Sequence, residues 1–416
     1  MSTEAMSLTV GVPKETYAGE RRVALIPASI AALSKAGLKV VVEAGAGVEA
    51  GFPDDEYTAA GARVASRPEV FAAAKVIFQV RAAGANRVAG LADFELFRPG
   101  QWLIGLCDPF TDPSLMSELA VRGVSCFALE LLPRITRAQS MDVLSSMASI
   151  AGYKAVLLAA DRSPRLFPMM MTAAGTIAPA KVFVMGVGVA GLQAIATARR
   201  LGAVVKAYDI RPAVKEEVLS LGAKFVELDL KTDNAAGKGG YANAMDEAFY
   251  KRQRELLAQV VSESDVVITT AAVPGKKAPM LVTAEMVRRM PKRALVIDLA
   301  AEQGGNCELT RPGETVIENG ISIVGCVNLP SSAPFHASQM YARNVSTFLL
   351  SQVKNGQLAL NCADELVCNT LVTHEGQVVH PKVREVLGLG ALAVEATASP
   401  QTVPVPAASP PQPGNA

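Results

Sequence analysis

Six residues constrain this chain more than any others: Gly186-Val187-Gly188-Val189-Ala190-Gly191, directly behind the apolar run 182–185 and followed eighteen positions later by Asp209. A buried strand, three spaced glycines, a helix and an acid at the end of the next strand is the order in which a βαβ unit grips a dinucleotide. The first glycine permits a tight turn, the second lets backbone amides approach a pyrophosphate, and the third lets the new helix pack against the strand. Asp209 closes the strand 204–208, where a carboxylate accepts hydrogen bonds from ribose hydroxyls and repels a 2′-phosphate. NAD(H) is therefore expected in preference to NADP(H). A glycine-rich turn of this kind can also serve only to pack a helix on a sheet, but the strand, the helix and the acid together favour the cofactor. Arg211, two residues beyond the acid, reads as packing on the adenosine side.

The surrounding pattern is α/β. Strand-like runs at 8–12, 39–43, 76–80, 102–107 and 125–129 alternate with helical segments at 27–36 and 54–60, which implies a parallel sheet covered on both faces. A long helix over 141–160 leads into a second set of strands at 181–185, 204–208, 224–228, 265–270, 294–299 and 321–324. Another long helix over 338–354 leads away from it. The expectation is two Rossmann-like, doubly wound parallel-sheet domains joined by long linker helices. The N-terminal domain is discontinuous, 8–145 plus 336–385, and the nucleotide domain covers 146–335. The remainder, 386–416, ends in a proline- and alanine-rich stretch that cannot bury a core and reads as a disordered tail. Met6 is a possible second start.

With 416 residues, half of them hydrophobic, the chain can fill two cores. Forty basic and 39 acidic residues give a net charge of +1, so no global field attracts nucleic acid or anionic lipid. Six cysteines, Cys107, Cys126, Cys307, Cys326, Cys362 and Cys368, form no CxxC pair and look like those of a reduced, intracellular protein. No signal-peptide pattern and no apolar, uncharged run of about 18 residues occurs, so no direct membrane insertion is expected. No metal site is expected either.

Chemistry that moves a proton with a hydride usually employs His, Lys or a carboxylate. The chain has three histidines, His336, His374 and His380, and none in its first 335 residues. His336 reads as a surface residue near a helix start. Hydride passing between two nicotinamide rings needs no proton relay, and the scarcity fits that reaction.

Two polar segments face the fingerprint in this reading. In 133–146, a helix starting near Met141 puts Asp142 and Ser145 on one face, with Arg134 and Gln139 on the preceding loop. Ser and Gln can pair with a carboxamide, and Arg134 can orient Asp142. Equally, the segment can be only a helix start, with Ser140 capping and Asp142 in the first turn. The second segment, 231–243, carries Gly237, Gly239 and Gly240 beside Tyr241. It suits either a plain flexible connection or a lid that lays a ring over bound cofactor.

Through the loop 134–146, Gly186 to Gly191, Asp209 and Gly240-Tyr241, the chain resembles the NAD(H)-binding subunits of proton-translocating transhydrogenases. The resemblance runs from Val10-Gly11-Val12-Pro13-Lys14-Glu15 to about Asn355. It includes Glu20-Arg21-Arg22-Val23-Ala24-Leu25-Ile26-Pro27, Ile268-Thr269-Thr270-Ala271-Ala272-Val273-Pro274-Gly275 and Asp298-Leu299-Ala300-Ala301-Glu302-Gln303-Gly304-Gly305-Asn306-Cys307. Alanine dehydrogenases share several of these motifs. Where those enzymes carry a lysine, a histidine and an aspartate, this chain has Arg81, Cys107-Asp108 and Glu302; their carboxylate-binding arginine persists as Arg22. By resemblance, the amino-acid site is lost.

The transhydrogenase resemblance implies that Arg134, Gln139, Asp142 and Ser145 fix the dihydronicotinamide of NADH. It implies that Gly186, Gly188, Val189, Gly191 and Gly240 contact the cofactor, that Asp209, Ile210 and Arg211 hold the adenosine end, that Ala272 lies beside it, and that Tyr241 tops the closing loop. NAD(H) is then a substrate that gives hydride to NADP(H) on a partner, with Si-face/Re-face specificity. Family members form homodimers and dock on an NADP(H)-binding beta subunit and a membrane-spanning subunit, which places the chain in the cytoplasm at the inner face of the membrane. Relatives often carry a histidine where this chain has Cys326. The alternatives are an alanine dehydrogenase-like amino-acid oxidoreductase and a non-catalytic NAD(H)-binding regulator.

Overall fold

The computed structural model describes residues 8–230, 245–272, 277–390 and 392. Among them the strands form two large sheets. The first contains β1 (Thr9–Val12), β2 (Lys39–Glu43), β3 (Arg63–Ala65), β4 (Val76–Arg81), β5 (Trp102–Leu106) and β6 (Ser125–Ala128), all joined in parallel. The chain then enters α1 (Val143–Arg162). The second sheet follows with β7 (Lys181–Met185), α2 (Val189–Arg200), β8 (Val204–Tyr208), β9 (Lys224–Phe225), α3 (Glu247–Ser262), β10 (Val266–Thr269), β11 (Leu295–Asp298), β12 (Thr315–Glu318) and β13 (Ile321–Gly325). Its order is β9-β8-β7-β10-β11-β13-β12, parallel except for β12. The order reverses at β7, so the crevice behind the fingerprint opens at a topological switch point.

From there α4 (Pro334–Ser351) carries the chain back, and β14 (Leu371–His374) and β15 (Gln377–Val378) extend the first sheet beyond β6. The first sheet then reads β15-β14-β6-β5-β4-β1-β2-β3, with its two late strands antiparallel. The fold is the expected pair of doubly wound sheets. Strand β9 stops after two residues, shorter than the run 224–228 suggested. Helix α4 begins four residues earlier than its apolar pattern, because Pro334 suits a first helical turn.

Helix α1 explains how the sheets are held in register. Its early residues Val143, Met147 and Ile150 belong to the core under the first sheet, while Ala155, Val156 and Ala159 belong to the core under the second. By length and mean hydropathy α1 is apolar enough to cross a membrane, yet Lys154 interrupts it and its small residues pack against α2. Gly152 is the tightest point: a Cβ there would lie 2.1 Å from the carbonyl oxygen of Ala190. Only a glycine lets the two helices approach so closely. Further along, α1 leads to an exposed hairpin, Met170–Thr172 with Gly175–Ile177, on which Met170, Met171 and Ile177 face solvent.

Of the cysteines, Cys107, Cys126, Cys307 and Cys326 are buried and Cys362 and Cys368 are exposed. The reading of all six as isolated in apolar surroundings thus fails for the last two. It fails also for Cys107 and Cys126, whose sulfurs lie 3.5 Å apart on neighbouring strands.

Candidate functional site

The three fingerprint glycines separate by what surrounds them. Gly186 has φ 94°, and a Cβ on it would stand 2.7 Å from Thr270 Oγ1. Gly191 faces backwards, where a Cβ would come to 1.9 Å from the Gly186 carbonyl oxygen. Both are glycines for reasons internal to the fold. Gly188, the N-cap of α2, has φ −81° and, among the described residues, no atom within 4 Å of a hypothetical Cβ. None of those residues requires glycine there, so the demand comes from what enters the open space. The amides of a helix N-terminus facing that space suit a pyrophosphate.

At the end of β8, Asp209 is fully engaged. Its Oδ2 accepts from the Val187 amide at 2.7 Å, which ties the acid to the glycine turn. Arg211 forks onto it, Nε to Oδ1 at 2.8 Å and Nη2 to Oδ2 at 2.7 Å, and the Arg211 amide reaches Oδ1 at 2.9 Å. The guanidinium expected to pack toward an adenosine is therefore held in an ion pair with Asp209.

The segment between β6 and α1 folds as a 3₁₀ turn, Thr136–Met141, and α1 starts behind it. Asp142 is the N-cap, not Ser140: its Oδ1 accepts from the Ser145 amide at 2.9 Å and its Oδ2 from Ser145 Oγ at 2.5 Å. The extra turn carries Ser140 away from the helix start, and its carbonyl accepts instead from Asn344 of α4 at 2.9 Å. Arg134, Gln139, Asp142 and Ser145, all singled out from sequence, line one pocket of about 440 Å³ together with Pro133, Ile135, Thr136 and Ala138. It presents carboxylate, hydroxyl, carboxamide and guanidinium groups, a set that can pair with a ligand carboxamide.

The pocket and the fingerprint share α1. Ser145 and Gly152 are seven residues apart, about 10 Å along a helix, and Gly152 rests on Ala190 inside the fingerprint. That spacing is comparable to the nicotinamide half of a dinucleotide whose pyrophosphate lies at Gly188.

Several residues that sequence reasoning passed over build the floor of the crevice. Thr270 Oγ1 donates to the Gly186 carbonyl at 3.0 Å. Asn306 accepts from the Ala271 amide at 3.0 Å and returns a hydrogen bond to the Ala271 carbonyl at 2.8 Å, which positions Ala272. Asn306 is held in turn by Asp298, fully buried, whose Oδ2 accepts from its amide at 2.8 Å and from Thr310 Oγ1 at 2.6 Å. The available signal was polar residues directly after the apolar strands β10 and β11. Gly240 and Tyr241 lie outside the described residues, as do Val273, Pro274 and Gly275.

The positions compared with alanine dehydrogenases form a closed network. Arg22, 3% exposed, gives Nε and Nη2 to Glu20 at 2.7 and 2.6 Å and Nη2 to Asn328 at 2.9 Å. Burial opposes the Glu20 charge, but the hydrogen bonds from Arg22 prevail and hold its carboxyl below the usual range. Arg81 stacks on Tyr17 at 4.3 Å and donates to Glu302 at 3.0 Å, linking the two sheets' domains. Where the dehydrogenases' histidine is replaced, Cys107 is buried and the Cys107 and Asp108 amides both donate to Glu130. Burial pushes Glu130 up to about 7 and Glu15, which accepts from the Val80 and Arg81 amides, up to about 8. His336 is exposed in the first turn of α4, far from a relay role. Burial pushes the Cys326 thiol up to about 12, so it carries no exchangeable proton near neutrality.

Residues 11–151 match the family described as alanine dehydrogenase/PNT, N-terminal domain, and residues 155–381 match its C-terminal domain. The first portion of the NAD(P) transhydrogenase subunit alpha of Rhodospirillum rubrum, a separate polypeptide, is 46% identical over 380 residues, 90% of this chain and 98% of its own. A solved transhydrogenase structure from Sinorhizobium meliloti superimposes with a TM-score of 0.78 at 45% identity, covering 90% of this chain and 99% of that one. An L-alanine dehydrogenase structure superimposes with a TM-score of 0.76 at 26% identity, covering 92% and 99%.

Proposed function

This chain belongs to the alanine dehydrogenase/PNT family as a homologue of transhydrogenase alpha subunits, and from that premise we propose that it binds NADH and passes hydride directly to NADP⁺ held on a partner subunit. The observation that carries this reading is the shared helix: Arg134, Gln139, Asp142 and Ser145 line a pocket at one end of α1, and Gly152 of the same helix rests on the fingerprint. The adenosine end lies against Asp209, Ile210 and Arg211, the pyrophosphate against Gly188 and Val189, and the carboxamide in the pocket.

In this reading the chain's residues bind and orient; they move no proton. NADH + NADP⁺ → NAD⁺ + NADPH balances with one hydride, so a site without histidine suffices. Asp142, pinned by Ser145, presents a fixed acceptor to the carboxamide and thereby selects which ring face is offered. Loop 231–243, with Gly240 and Tyr241, closes over the ring. A homodimer, docking on an NADP(H)-binding and a membrane-spanning subunit, proton translocation through that partner, and a cytoplasmic, peripheral location complete the proposal. The exposed methionines of the hairpin Met170–Thr172 support an association surface.

Amino-acid oxidation has less support: the Arg22 fork is spent on Glu20 and Asn328, and Arg81 on Glu302. The deciding experiment mixes the chain with its cognate NADP(H)-binding domain. NADH should reduce NADP⁺, and absence of transfer with both nucleotides shown to bind sinks the proposal. Turnover of pyruvate and ammonium with NADH would instead establish the dehydrogenase.

A further inference from the structure

The arginine beside the ribose acid has no role of its own in the scheme above, yet it is tightly tied to that acid. We propose that Arg211 is a masked phosphate receptor, and that Asp209 excludes NADP(H) chiefly by holding Arg211 silent. Contacts at 2.7 to 2.9 Å join the two residues, and both side chains are largely enclosed, Arg211 14% and Asp209 7% exposed. A bidentate guanidinium–carboxylate pair of this kind is neutral overall and directional. The Val187 amide fixes the acid from the other side, so the arginine closes on a stationary partner.

The same fork geometry suits a phosphate as well as a carboxylate. A 2′-phosphate arriving at the ribose end meets Asp209 first: it is repelled by the acid, and the guanidinium beside it is already neutralised. Hydroxyls meet no such conflict, because the carboxylate oxygens retain lone pairs that accept from a diol while the arginine stays in place. Exclusion and recognition thus come from one carboxylate, and removing its charge frees a guanidinium two residues away at the correct end of the crevice.

This inference rests on the nucleotide-binding reading of the fold. The test uses the full chain and measures binding of NADH, NADPH, 5′-AMP and adenosine 2′,5′-bisphosphate by calorimetry. For Asp209→Asn the NADPH-to-NADH affinity ratio should rise at least about tenfold, and the bisphosphate should gain over 5′-AMP likewise. Adding Arg211→Gln to that variant should return both ratios to the wild-type level, and raising the salt should erode the gain in the single variant. Asp209→Ser is a second neutral replacement held to the same ratios. Each ratio compares two ligands on one folded fraction, so lost stability cancels from it. An unchanged ratio in both neutral variants, or a gain that survives Arg211→Gln, overturns the inference. A wild-type chain that binds neither NADH nor 5′-AMP defeats the nucleotide reading itself.

Discussion

Alanine at Gly188 and alanine at Gly191 should have opposite consequences, although both residues belong to one six-residue turn. At Gly191 the new methyl carbon would sit 1.9 Å from the Gly186 carbonyl oxygen, whereas real Cβ atoms essentially never approach within 3.0 Å. Helix α2 must therefore withdraw by about 1 Å, and because the obstacle is backbone the cost falls in the upper part of the about 1–3 kcal/mol seen for overpacked sites. At Gly188 the methyl meets no atom of the described residues and φ is −81°. Losing glycine at an N-cap costs up to about 1 kcal/mol, and the stiffer unfolded chain returns about 0.4–1 kcal/mol, so stability stays within about 1 kcal/mol of wild type. The methyl instead fills the space that a pyrophosphate would take. One or two charge-assisted hydrogen bonds to backbone amides are then unmade, at about 1.5–3 kcal/mol each, which weakens NADH by about tenfold to a few hundredfold. Urea unfolding followed by circular dichroism and NADH titration by fluorescence measure the two effects separately. Equal destabilisation by the two variants, or NADH bound to Gly188→Ala as tightly as to wild type, would refute the assignment of roles.

Asp142→Asn should leave stability within about 0.5 kcal/mol, since asparagine caps a helix as well as aspartate, yet lower the transfer rate more than NADH affinity; equal losses in rate and affinity would remove the positioning role. Glu130→Gln keeps the oxygen that accepts from the Cys107 and Asp108 amides and tests the buried acid. Burial raises Glu130 from 4.5 to about 7, so the folded chain keeps a proton that the unfolded chain releases. The associated stability is complete below about pH 4.5 and is lost as pH rises toward 7, with Glu15 extending the decline to about 8. The variant should flatten the melting temperature across about pH 4.5 to 7, and an unaltered slope contradicts the assignment. Gly152→Ala should destabilise by about 1–3 kcal/mol through contact with the Ala190 carbonyl and weaken NADH more than 5′-AMP; an equal effect on both ligands would show that α1 does not align the two ends.

Buried parallel strands were legible because both faces are covered and their sequences are nearly continuous apolar runs, as in β7. The fingerprint was legible because its glycines answer local backbone demands. The pocket residues were found as a set, but their arrangement was not: Asp142 rather than Ser140 caps α1, because a 3₁₀ turn intervenes that no periodicity announces. The embrace of Asp209 by Arg211 and the support of Ala271 by Asn306 depend on side-chain direction and on strands distant in sequence. Gly152 was invisible for the same reason, since its necessity lies in α2, at Ala190.

That close approach of α1 to α2 makes the chain a ruler. Pocket and glycine turn are fixed about 10 Å apart along one rigid helix, so a dinucleotide that spans them behaves as a bivalent ligand, each half raising the effective concentration of the other. AMP alone or nicotinamide mononucleotide alone gains none of this and binds weakly. A bivalent ligand also leaves in stages: once the nicotinamide end lets go, the remaining half holds on with little affinity. For a protein whose nucleotide is the reactant rather than a resident group, that staged peeling reconciles firm seating during transfer with rapid exchange afterwards.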